Sequence, residues 1–224
     1  MTSEPTPPTT LVLVRHGESN ATVTRRIGGH RTCSGLSPLG VRQTERLRER
    51  LRSTGEFDGA TLLSSNFPRA IETAAILAPV FDQVEIETDE GFGEHDPGPE
   101  LDGMTFGAYV ERFGTPDWTD LDADVFPGGE TIRAFRTRVT GAIDSIVERF
   151  TGGTVVVACH GGVVDVAFRS LLGLPDTGHF ELHTSNASLT EFVTVGPDRW
   201  KLGRYNDAAH LHGLPAETPR RAAG

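Results

Sequence analysis

Residues 11–20 read Leu-Val-Leu-Val-Arg15-His16-Gly17-Glu18-Ser19-Asn20, and residues 155–162 read Val-Val-Val-Ala-Cys159-His160-Gly161-Gly162. Each is an unbroken apolar run that ends on a histidine followed at once by glycine. A short run without polar alternation marks a strand buried on both faces, as in a parallel sheet. His16 and His160 therefore sit at the carboxyl tips of two central strands. Open α/β sheets take their ligands beyond that edge, where strand order reverses. The glycine after each histidine lets backbone and ligand approach closely. One strand-end histidine is most simply a packed side chain, but two in the same setting point to a site.

The segments around these strands supply the rest of a fold. Ser37-Pro38 gives an N-cap and a proline at the first helical position, opening a helix through Val41, Leu47 and Leu51 that Gly55 stops. Ala60–Ser65 reads as a strand, and Arg69–Leu77 as a helix ending before Pro79. Gln83–Glu87 alternates like an edge strand. Residues 88–129 read mostly as loop, with a short helix over Phe106–Phe113. Glu130–Phe150 is a long amphipathic helix through Ile132, Phe135, Val139, Ile143 and Ile146. Val163–Leu172 reads as a helix, and Leu189–Val195 with Trp200–Tyr205 as a hairpin. This alternation predicts an α/β fold, a three-layer α/β/α sandwich with a largely parallel central sheet. No linker or repeat divides the 224 residues, so one domain over 11–206 is expected, flanked by tails at 1–10 and 207–224.

Composition narrows the function classes. Hydrophobic residues make up 37% and charged residues 23%, an ordinary globular balance, and the formal net charge is −10. That charge argues against a nucleic-acid binder or a protein of anionic membrane surfaces, both of which need a basic face. No window approaches the ~18 apolar residues of a membrane span. The Pro/Thr-rich start lacks the basic and apolar parts of a signal peptide. Two cysteines, Cys33 and Cys159, fit a reducing, cytoplasmic setting. All 21 basic residues except Lys201 are arginine.

Arginine is what the site chemistry needs. Arg15 offers a fork of donors beside His16, suited to bidentate capture of phosphate or carboxylate. Arg69 falls in the first turn of its helix, near the positive end of the dipole, where a cation is unfavourable unless an anion offsets it. The plain alternative is an arginine reaching out to solvent. Arg15, His16, Arg69 and His160 together describe an anion pocket with a nucleophile candidate.

The chain resembles the histidine phosphatase superfamily, the phosphoglycerate-mutase-like fold. The resemblance rests on Arg15-His16-Gly17-Glu18, Gly35-Leu36-Ser37-Pro38-Leu39-Gly40 with Gln43, Ser64-Ser65 with Arg69-Ala70 and Thr73-Ala74, Pro127-Gly128-Gly129-Glu130 and His160-Gly161-Gly162. It implies a phosphatase that needs no metal and no cofactor and acts on a small phosphorylated metabolite, releasing inorganic phosphate. His16 would be the nucleophile, neutral and forming a phosphohistidine, with its other ring nitrogen on a backbone carbonyl. Arg15, Arg69 and a protonated or donating His160 would hold the phosphoryl oxygens. Asn20 and the Gly17 and Gly161 N–H groups are further candidate donors. The family's general acid, a carboxylate after the third strand, maps best to Glu94 within Asp89–Gly98, with Glu90 and Asp96 as alternatives. A mutase is the closest rival reading. A non-catalytic phospholigand-binding domain is a more distant one.

The loop Arg25-Arg26-Ile27-Gly28-Gly29-His30-Arg31-Thr32-Cys33-Ser34 lacks the acidic residue often found there and carries three arginines. It reads either as surface arginines or as a second anion site in which Arg31 contacts substrate. Cys159 reads as core and Cys33 as a loop thiol near Arg31. Trp118, Phe106, Tyr109 and Phe113 either line the pocket or form a satellite core. His179 and His183 sit four apart without the carboxylates of a metal site, and His210 and His212 fall in the expected tail.

Overall fold

The computed structural model describes residues 7–83, 85–177, 180–196 and 199–218. Six strands form one sheet: β1 (Thr10–Arg15), β2 (Thr61–Ser64), β3 (Glu87–Thr88), β4 (Thr154–Cys159), β5 (Leu189–Gly196) and β6 (Arg199–Asp207). Their order is β3-β2-β4-β1-β5-β6. The β2–β3, β2–β4 and β1–β4 pairs are parallel, whereas the β5–β6 hairpin joins β1 antiparallel, so the sheet is mixed. β4 returns late in the chain to lie between β2 and β1, which brings the carboxyl ends of three strands together.

Residue parity in the central strands builds the layers. Val12, Val14, Val156 and Ala158 face one side, where they pack with Leu47 and Leu51 of α2 (Pro38–Thr54) and Ala74 and Leu77 of α3 (Pro68–Leu77). Leu11, Leu13, Val155 and Val157 face the other, against α6 (Ile132–Arg149) and α7 (Gly161–Leu171). Burial on both faces is why these strands carry no polar alternation. Truncating a core side chain such as Leu47, fully buried, to alanine costs about 2–5 kcal/mol.

Three departures from expectation have local causes. Two short helices, α1 (Asn20–Val23) and α4 (Gly98–Leu101), punctuate segments that read as loop; Ser19 caps the first through its hydroxyl. α5 (Phe106–Phe113) lies where expected, and Tyr109 packs with Leu101, Val125 and Phe126 as a satellite core. The edge strand is only Glu87–Thr88, because Gln83 pairs with β2 through its side chain: its amide accepts from Leu62 N–H and donates to Leu62 O (3.1 Å). Residues 207–218, read as a tail, close on the domain. Asp207 pairs with Arg50 at 2.7 Å, Glu217 accepts from Asn186 N–H at 2.6 Å, and Thr218 N–H reaches Glu18 at 2.9 Å. Among the described residues no helix is long and apolar enough to cross a membrane.

Candidate active site

In the β1–β4 ladder Arg15 lies opposite Cys159, so the next residues, His16 and His160, emerge side by side at the carboxyl edge. The His16 N–H donates to Cys159 O (2.9 Å), and the two imidazole centroids are 5.1 Å apart. On the far side of β4, Ser65 N–H donates to Ala158 O (2.9 Å), which sets Ser65 Oγ 2.8 Å from His160 Nε2. α3 starts directly after β2 with Pro68 at its first position, and Arg69 in its first turn is buried over the strand ends. One turn on, Thr73 Oγ1 donates to Arg69 O (2.8 Å) and accepts from Gly17 N–H (3.2 Å). Gly17 is glycine for a steric reason: a Cβ there would collide with Gly40 O at the start of α2.

The hydrogen bonds fix the protons. His16 Nδ1 lies 2.6 Å from Gly17 O. A carbonyl oxygen only accepts, so Nδ1 carries the hydrogen and Nε2 keeps its lone pair. The Arg69 Nε–H divides between His16 Nε2 (3.1 Å) and His160 Nδ1 (3.3 Å). Both ring nitrogens accept, and both imidazoles are neutral in this arrangement. The remaining hydrogen of His160, on Nε2, goes to Ser65 Oγ. Burial, followed by the positive charge of Arg69 and the proximity of His16 and Arg15, holds the His160 pKa well below the ordinary histidine value. The protonated option for His160 is thus corrected to a neutral ring with Nδ1 turned toward Arg69. Arg15 is almost wholly buried beside it and donates to Thr184 O.

Glu94 reaches the same edge. Its Oε2 accepts from Gly162 N–H (3.3 Å) in the first turn of α7, and its Oε1 from His95 N–H (3.1 Å). A Cβ at Gly162 would fall on Glu94 Oε1, which explains the second glycine after His160. Gly161, the first residue of α7, offers an N–H that the helix itself does not use. The alternatives are placed elsewhere. Asp96 is exposed and caps the Gly98 N–H (2.9 Å), and Glu90 is exposed on a 3-10 turn.

The loop 25–34 folds onto the segment 98–106. Asp102 gathers it, accepting from Gly29 N–H (2.9 Å), Arg31 N–H (2.7 Å) and the Thr32 hydroxyl. Its pKa is lowered: burial pushes it up, but these hydrogen bonds outweigh burial. Arg69 Nη1 in turn donates to Gly28 O (3.0 Å) and Cys33 Sγ (3.4 Å), so Cys33 pairs with Arg69 rather than Arg31. Arg26 donates to Gly103 O (2.6 Å) and Arg31 to Pro99 O (2.5 Å), both exposed. These two guanidinium groups tie loop to loop, so that Arg31 is a loop brace in this structure. Asn20 is corrected likewise. Its amide nitrogen donates to Ser34 O and Leu36 O, both at 3.1 Å, so both hydrogens brace the loop.

Several residues of the site carried little signal in the sequence. Ser65 belonged to a quoted motif without a role, and Thr73 likewise. Asn186, whose amide donates to His16 O (2.9 Å), and Thr184 lie in a stretch with no periodicity to mark them. His30 stacks on Phe67 at 3.8 Å between centroids, and Phe67 itself lies under Arg69 and edge-on to His160. Trp118 packs on His95 and Phe126. His179 lies outside the described residues. Cys159 is core, its thiol pKa pushed up by burial.

Comparison with known proteins identifies the family. Residues 11–208 match the family model of the histidine phosphatase superfamily, branch 1. The chain is 29% identical over 205 residues to phosphoglycerate mutase-like protein 4 of Arabidopsis thaliana, covering 90% of this chain and 86% of that one. It is 27% identical to the probable phosphoglycerate mutase GpmB of Proteus mirabilis, over 94% and 99% of the two chains. Among solved structures, the mycobacterial glucosyl-3-phosphoglycerate phosphatase Rv2419c superposes with a TM-score of 0.73 at 26% identity, covering 89% of this chain and 99% of that one. The chain belongs to the histidine phosphatase superfamily.

Proposed function

We propose that the protein is a phosphatase that hydrolyses a small phosphomonoester through a phosphohistidine on His16. The observation that carries this reading is the locked tautomer of His16: Nδ1–H on Gly17 O, with the Nε2 lone pair turned to Arg69. That nitrogen is already neutral and aimed, so no proton need leave before attack. An incoming phosphoryl oxygen takes over the Arg69 N–H and thereby releases the Nε2 lone pair for in-line attack at phosphorus. Arg15, Arg69 and the Gly161 N–H offset charge on the equatorial oxygens. The arginines provide the positive charge, and the reading needs no metal. Glu94, protonated, gives its proton to the leaving alcohol. As carboxylate it then activates the water that hydrolyses the phosphohistidine, freeing inorganic phosphate and regenerating neutral His16.

The glucosyl-3-phosphoglycerate phosphatase among the structural relatives supports hydrolysis. The mutase-named relatives keep phosphoryl transfer as the second reading. Phosphate release is measured from a panel of phosphoglycerates, sugar phosphates and phosphoamino acids, with wild type and His16→Ala. Free phosphate from at least one monoester, lost in the variant, is expected. Isomerisation of phosphoglycerate without phosphate release would overturn the reading in favour of a mutase, and neither activity would leave a binding domain.

A further inference from the structure

Arg138 lies on the second turn of α6, outside the four-residue core, yet its guanidinium joins the segment that carries Glu94 to the carboxylate of Glu130. Nη1 donates to Glu90 O (2.9 Å), Gly91 O (3.1 Å) and Gly93 O (3.2 Å), and Nη2 to Glu94 O (3.3 Å). The opposite edge of the fork meets both oxygens of Glu130, Nε to Oε1 at 2.9 Å and Nη2 to Oε2 at 2.8 Å. Glu130 holds the same segment from its other end: its N–H donates to Asp96 O (2.9 Å), and its carbonyl accepts from His95 Nε2 (2.6 Å). A Cβ at Gly93 would crowd Glu90 O and Phe67.

Four carbonyl oxygens drawn toward one cation fix the backbone of a segment that lacks regular structure past its 3-10 turn. Only a planar fork with five N–H groups can serve so many acceptors while pairing bidentately with a carboxylate. Among the described residues, Glu94 has two weak backbone ties at its carboxylate, at 3.1 and 3.3 Å. Its place over Gly162 is therefore set by where its backbone is held. We infer that Arg138, gripped by Glu130, is a positioning residue that aims the Glu94 carboxyl at the leaving-group oxygen. This rests on Glu94 being the general acid.

The test separates the two claims by leaving-group dependence. 4-Nitrophenolate departs as a stable anion with little need of a proton, whereas phenolate needs one. kcat/KM is measured for both aryl phosphates with wild type, Glu94→Gln, Arg138→Ala and Glu130→Gln, with tungstate inhibition and thermal unfolding as controls. Glu94→Gln is expected to lose at least ~10-fold more on phenyl phosphate than on 4-nitrophenyl phosphate, in keeping with general-acid contributions of about 10²–10⁴. Arg138→Ala should show the same selective loss, with tungstate affinity held within ~3-fold. Equal losses on both esters, or none, in Arg138→Ala beside a selective loss in Glu94→Gln would overturn the inference and leave the acid assignment standing. Equal losses in Glu94→Gln would overturn both. Should Arg138→Ala fail to fold, Glu130→Gln decides: a selective loss supports the positioning role, and a wild-type ratio of the two esters refutes it.

Discussion

Substituting alanine at Gly162 would displace the Glu94 carboxyl while leaving His16, Arg69 and His160 in place. An ideal Cβ built there lies more than an ångström inside the 3.4 Å of ordinary contact with Glu94 Oε1, and 3.1 Å from Phe135 Cζ. Phe135 need yield only a few tenths of an ångström. Glu94 is the end of a flexible side chain, so it swings aside and gives up the Gly162 N–H. Helix α7 keeps its register, and alanine is a better helix former than glycine by about 1 kcal/mol. Stability should therefore hold, with Tm within ~4 °C of wild type, the shift that about 1 kcal/mol produces in a chain of this size. Catalysis should not hold. A misplacement of roughly 1 Å costs on the order of 10²-fold, and it should fall on esters whose leaving group needs a proton. Steady-state kcat/KM for phenyl phosphate, beside a thermal melt, is the assay. An activity within ~3-fold of wild type in a folded Gly162→Ala protein would refute the placement of Glu94 as the acid.

Other outcomes follow from the same geometry. His160 is buried with its folded pKa well below 6.5, so the unfolded chain binds the proton first as pH falls. Stability should then drop below pH ~6.5 by up to about 1.4 kcal/mol per pH unit from this group, the slope for one proton. His210, its pKa lowered to about 4 by burial, acts in the same sense. Urea melts from pH 7 to 5 should show a shallower decline in His160→Asn, and an unchanged slope would contradict the neutral assignment. Asp102→Ala removes three hydrogen bonds from the loop that carries Gly28 and Cys33 onto Arg69. It should raise KM several-fold and cost about 1–3 kcal/mol, and a wild-type KM would show that the loop does not steady Arg69. Gly40→Ala sets a Cβ against the Glu18 backbone, which cannot move aside. A loss of about 1–3 kcal/mol is expected, read as a lowered Tm with kcat lowered too, because α2 would push on the Gly17–Glu18 turn.

The layers were legible because the central strands are buried on both faces, which leaves runs such as Val155–Cys159 wholly apolar. The histidine pair was legible because each ends such a run. The edge strand was not, since a glutamine side chain does the pairing that an alternating pattern assigns to backbone. Asn20 and Arg31 show the limit at the site. Residue type and proximity in sequence suggested anion donors, but both Asn20 amide hydrogens go to Ser34 O and Leu36 O, and Arg31 Nη2 reaches Pro99 O on the facing segment. The same holds in reverse for Asn186, which reaches His16 O from 170 positions away. Glu130 stood in a recognisable Pro-Gly-Gly-Glu motif, yet it precedes α6, and its partnership with Arg138 eight positions on follows only from how the chain enters that helix.

The central claim is covalent, and it is tested most directly by trapping. Enzyme mixed with 4-nitrophenyl phosphate is quenched in alkali within the first turnover, digested and sequenced by mass spectrometry. Hydrolysis of the intermediate needs the Glu94 carboxylate, so Glu94→Gln should hold more phosphoenzyme than wild type. The expected result is one acid-labile, alkali-stable phosphoryl group on the imidazole of His16, absent from His16→Ala. Phosphate release from His16→Ala at the wild-type rate, or a phosphoryl group on any other residue, would contradict it.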